Sequence, residues 1–87
     1  MTIDKIKFYL GSQNFDFISI LDAPRLEIML NAVTQDINYL ESEEGVRANL
    51  KSYKEADILQ FNEIIFKRKV EKKYIERRLG EKKHLKH

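Results

Sequence analysis

Large apolar residues recur along the middle of the chain at Leu26, Leu30, Val33, Ile37 and Leu40, in steps of four, three, four and three. That rhythm follows the 3.6-residue turn and predicts an amphipathic helix over about residues 23–41, with Met29 widening the stripe. Glu27, Asn31, Thr34, Gln35, Asn38 and Glu41 fall off the stripe and mark the solvent side. The start is written in the flanks. Asp22 can cap the first turn, Pro24 sits where its missing N–H costs nothing, and Leu21 and Leu26 are spaced as a hydrophobic staple.

A second helical pattern follows, with two candidate starts. Ser42 can cap a helix whose first turn holds Glu43 and Glu44, and Ser52-Tyr53-Lys54-Glu55 matches a capping box. From either start, at 43 or 52, the pattern runs to Leu79, with Gly80 as its stop. Leu50, Tyr53, Ile58, Phe61, Ile64 and Ile65 share one side, which Ile75 and Leu79 rejoin further on. Leu59, Phe66 and Val70 lie about a third of a turn away. Six of the nine residues from Ile58 to Phe66 are large and apolar, which predicts burial nearly all round there. Beyond Phe66 only Val70, Tyr74, Ile75 and Leu79 interrupt the lysines and arginines. The charged half is therefore expected to project from the core, and residues 81–87 to form a frayed basic tail.

The N-terminal segment reads in two ways. Ile3, Ile6 and Leu10 suit a helix over residues 2–10, with Thr2 as its cap and Gly11 as its end. Ile6, Phe8 and Leu10 also alternate as one face of a strand, which would pair with residues up to 21 across Gly11-Ser12-Gln13-Asn14. The helix is favoured. Residues 15–21 form a short apolar run that does not discriminate between the two. The expected fold class is mainly α, a helical hairpin with a short N-terminal segment packed on it; the alternative is α+β with a β-hairpin at about 5–21.

Composition narrows the picture. Eighty-seven residues make one domain, here residues 1–80 plus the tail, and a chain this short buries only about 60–65% of its unfolded surface. There is no cysteine, so neither a disulfide nor a thiolate-bound metal reinforces it. Burial against a second copy is one remaining route, which makes a homodimer a candidate. No apolar run approaches the length of a membrane span and the N-terminus lacks a signal-peptide pattern, so a cytoplasmic protein without a membrane partner is expected.

Charge divides the chain. Residues 1–66 carry six Lys/Arg against eleven Asp/Glu, and residues 67–87 carry ten against three. The basic end makes Lys67, Arg68, Lys69, Lys72, Lys73, Arg77, Arg78, Lys82 and Lys83 candidates for contact with nucleic-acid phosphate or an acidic partner, in a salt-sensitive, sequence-independent manner. No zinc-finger spacing, RNA-recognition signature or helix-turn-helix accompanies them. The second candidate surface is apolar: Ile58, Leu59, Phe61, Ile65, Phe66, Val70 and Tyr74, as a contact for a protein partner.

Catalytic parts are missing from the pattern. His84 and His87 stand alone at the tail, Glu41, Glu43 and Glu44 match no calcium-loop spacing, and no phosphate-binding glycine loop is present. The reading is a non-enzymatic binding or regulatory protein with no cofactor, no metal and no small-molecule substrate. It acts through the basic helix on nucleic acid or, alternatively, as a protein-interaction module through the apolar face.

Overall fold

A helix end leaves backbone groups unpaired, and the residues that satisfy them set the boundaries here. The computed structural model describes residues 1–84, with side chains through Lys82. Helix α1 (Ile3–Leu10) opens on Thr2, whose hydroxyl accepts the Lys5 N–H at 3.3 Å. It closes at Gly11, whose N–H donates to the Lys7 carbonyl at 2.9 Å. Gly11 has φ +83°, a conformation that glycine adopts without strain. That kink starts α2 (Ser12–Ile20) directly, with Asn14 Nδ2 donating back to the Leu10 carbonyl at 3.1 Å. The helix expected at 2–10 is present. The alternative β-hairpin is overturned, since residues 12–20 are helical and the described residues contain no strand.

Helix α3 (Ala23–Glu41) begins as its flanks predict, with the Asp22 carboxylate accepting the Arg25 N–H at 3.1 Å. The first of the two later starts is used as expected, and the second is displaced from 52 to 55. Ser42 caps α4 (Glu43–Asn49), and a break at residues 50–54 precedes α5 (Glu55–His84). The capping box at Ser52 is not the one that forms. Its hydroxyl accepts the Lys54 N–H at 3.1 Å and bonds Asp57, and the Ile58 N–H donates to the Lys54 carbonyl at 3.0 Å.

Gly80, the expected stop, does not end the helix. An interior glycine costs about 1 kcal/mol, but Leu79 is buried, and Glu81 pairs with Arg77 at 3.6 Å and Arg78 at 2.6 Å across the same turn. The expected tail at 81–87 is therefore helical as far as His84, and its remaining residues lie outside those described.

Helix α5 packs chiefly on α3, α1 lies on α5 and α2, and α4 lies on α3. Leu40 borders Phe61 and Ile64, while Asp36, one turn earlier, pairs with Arg68 at 3.4 Å, so α3 and α5 run antiparallel. One core joins Ile6, Leu10, Ile18, Leu21, Leu26, Val33 and Ile37 to Val70, Tyr74, Ile75 and Leu79.

This corrects the expected roles of the two halves of α5. The half past Lys67 does not project: it supplies the buried side chains, because α1, α2 and the body of α3 all fold onto it. The half from Ile58 to Phe66 is not buried all round; only Phe61 is, while Leu59, Ile64 and Phe66 are exposed. Local apolar density misled, since burial depends on which helices cover a stripe. No helix among the described residues is long and apolar enough to cross a membrane.

Candidate interaction surface

Helix α5 is longer than anything that covers it, and this sets the geometry of its surface. Its 30 residues span about 45 Å against about 28 Å for the 19 of α3. Val70 and Tyr74 are buried in the core, Tyr74 against Phe15 and Ser19 of α2. Leu59 and Phe66 continue the same side of the helix toward its N-terminus, where the cover thins to Tyr9 of α1 against Phe66. Phe66 is 42% exposed and Leu59 60%.

Helix α1 extends this strip with two aromatic rings. Ile6 and Leu10 turn inward, which leaves Tyr9 on the flank facing α5 and Phe8 facing solvent, 79% exposed. Tyr9 meets Phe66 edge-on with centroids 5.0 Å apart, and Phe8 meets Tyr9 edge-on at 5.4 Å. Edge-to-face contacts of this kind add about 0.5–1.5 kcal/mol each beyond area burial and hold the rings in place. The result is a contiguous apolar ladder, Phe8–Tyr9–Phe66, with Leu59 two turns along α5 from Phe66.

Of the expected apolar contact residues, Leu59 and Phe66 are presented to solvent, and Ile58 and Ile65 are partly buried beside them. Phe61, Val70 and Tyr74 are in the interior, which corrects their assignment to a contact surface. Tyr74 has a structural task. Its ring stacks on Phe15 at 4.8 Å, and its hydroxyl lies 2.6 Å from Ser19 Oγ. Ser19 spends its own proton on the Phe15 carbonyl at 2.7 Å, so Tyr74 is the donor between the two. Phe8 and Tyr9 are absent from the surface expected on sequence grounds. Their one signal is a position beside the Ile6/Leu10 stripe rather than on it.

The basic candidates are largely occupied by the chain's own acids. Lys67 pairs with Glu63 at 3.4 Å, Lys69 with Glu41 at 3.1 Å, and Arg77 with Glu81. Arg68 bridges Asp36 of α3 at 3.4 Å and Glu71 at 3.5 Å. Arg78 donates from Nη2 to the Ser19 carbonyl at 2.9 Å, so a cation completes the C-terminal end of α2. Lys73 is exposed, and Lys72 and Lys82 are half-buried. The side chains of Lys83 and His84, and all of His87, lie outside those described. The acidic front and basic rear of the sequence are thus partly folded against each other. Glu41, weighed with Glu43 and Glu44 as a cation site, is engaged by Lys69 instead.

Glu71 sits in a cleft with Tyr9, Leu10, Asn14, Ile64, Lys67 and Arg68. Burial raises its carboxyl above the ordinary range; Arg68 opposes the shift and Asp36 adds to it. A carboxylate raised in the folded state favours folding below its unfolded pKa, and that contribution is lost as pH rises through the folded value. Glu71→Gln is therefore expected to raise the urea midpoint over the parent at about pH 7, with the gap closing toward about pH 4. A gap that widens on acidification would contradict it.

Comparison of the chain with protein-family models, with curated proteins and with solved structures finds no match.

Proposed function

We propose that this protein is a non-enzymatic interaction module that binds a protein through the strip of Phe8, Tyr9, Leu59 and Phe66. The observation that carries this reading is the aromatic ladder itself: rings in edge contact with one another, Phe8 and Phe66 exposed and Tyr9 half-buried between them, continuous with the apolar stripe of the core helix. Aromatic side chains held in one geometry lose little entropy on binding and give large contact area, which is why they dominate protein contacts.

Phosphate binding through the basic half of α5 has weaker support. Lys67, Arg68, Lys69, Arg77 and Arg78 already have carboxylate or carbonyl partners. Exposed pairs are individually weak, about 0–1 kcal/mol. Even so, a phosphate would have to displace several at once, and Arg78 would have to release α2.

The test is a photo-crosslinking amino acid in place of Leu59 in the full chain, irradiated in the cells that make it. An adduct to protein is expected, and adding Phe66→Glu should remove it. The absence of a protein adduct, or an adduct that nuclease digests, overturns the reading.

A further inference from the structure

We infer that the occupant of this strip is a second copy of the chain, docked across a two-fold axis with the two α5 helices antiparallel at Phe66. The inference rests on the strip being a protein-binding surface and names its partner.

The first support is area. A compact monomer of 10.4 kDa exposes about 5,400 Å², whereas this chain exposes 6539 Å². Its radius of gyration, 14.7 Å, likewise exceeds the about 12 Å of a compact chain of this length. The surplus belongs to the elongated chain as a whole, 51 Å in its longest extent, and the uncovered side of α5 at Leu59 and Phe66 is one part of it. A long helix that outruns its cover gains such cover from an identical neighbour, because a two-fold axis places the same strip on itself.

Charge complementarity sets the register. Glu55 and Arg77 stand eleven residues to either side of Phe66, about 16 Å away along the axis and within about 20° of it around the helix. With Phe66 on the axis, Glu55 of each copy faces Arg77 of the other, and Leu59 lies along the aliphatic stem of Lys73. Both Glu55 and Arg77 are exposed, and the 3.6 Å pair of Arg77 with Glu81 is a single solvent-open one, worth about 0–1 kcal/mol, that Glu55 of the other copy can join or replace. A parallel pairing would set Glu55 against Glu55 and Arg77 against Arg77, which like-charge repulsion disfavours.

The experiment is sedimentation equilibrium of the full chain over a dilution series, with Glu55→Arg and Arg77→Glu run singly and as an equimolar mixture. The parent is expected to approach twice 10.4 kDa. Each variant alone should dissociate at least about tenfold more readily. The mixture should regain the parental association, since in a mixed dimer position 55 of each copy again meets the opposite charge at position 77 of the other. Circular dichroism of each variant checks that the fold is intact, and Phe66→Glu should give a monomer.

A parent that stays monomeric throughout, or a mixture no stronger than its components, overturns the inference. The adduct formed at position 59 separates the two readings. A protein adduct of a mass other than twice the chain refutes the second copy and leaves the interaction module standing, whereas no protein adduct refutes both.

Discussion

Ile75→Ala is expected to remove about 2–5 kcal/mol of unfolding free energy, seen as a lower urea midpoint with an unchanged slope. Ile75 is 0% exposed and lies in the basic half of α5, in the core that joins α1, α2 and α3. Truncation removes three carbons from a site whose neighbours on three helices cannot all relax into the gap. A chain of 87 residues has a total stability of about 4–13 kcal/mol, so this one change takes a large share of it. Leu59→Ala deletes the same number of carbons from the apolar-rich half and is expected to shift stability by no more than about 0.5 kcal/mol. Both are to be measured at a dilution where the chain is monomeric, so that association does not add to either value. The reverse ordering, with Leu59 costly and Ile75 neutral, would mean that the core lies at the other end of the helix.

That ordering bears on how far the sequence could be read. Helix α3 was legible because every signal agreed: Asp22, Pro24 and a five-residue stripe all mark the same start and face. Helix α1 was legible from Thr2 and Gly11. Helix α2 was not, because Phe15, Phe17, Ile18 and Ile20 show no single period. Only Ile18 is fully buried, Phe15 leans on Tyr74, and Phe17 and Ile20 face solvent. No side chain caps its start, so nothing local announces it.

The two starts of the C-terminal region looked like alternatives and are successive helices. Nothing in Ser42 or Ser52 states that residues 50–54 leave the helix. For α5 the error had a definite physical source. Val70, Tyr74, Ile75 and Leu79 form a stripe sparse enough to be outnumbered by cations, yet long lysine and arginine side chains reach outward or to Asp36, Glu41 and Glu81 while the stripe packs. The candidate surface was half legible for the same reason. Leu59 and Phe66 could be named from their helix, but Phe8 and Tyr9 join them only because α1 comes to lie on α5.

Gly45→Ala is expected to destabilise the protein by about 1–3 kcal/mol, even though alanine is the better helix former. Gly45 lies in the first turn of α4, buried where that helix turns back over the end of α3. A Cβ there would overlap the Tyr39 carbonyl oxygen, and would lie 2.6 Å from its carbon and 3.0 Å from Leu40 Cα. These are backbone atoms and cannot swing aside. The same carbonyl accepts the Ser42 N–H at 3.0 Å and the Ser42 hydroxyl at 2.5 Å, so moving it also loosens the cap of α4. Gly80→Ala supplies the opposite sign. It sits inside α5 with nothing within 4 Å of a new Cβ and should stabilise by about 0.5–1 kcal/mol. Thermal midpoints that fall for Gly45→Ala and rise for Gly80→Ala are the expected pair; a rise in both would show that α4 does not press on α3.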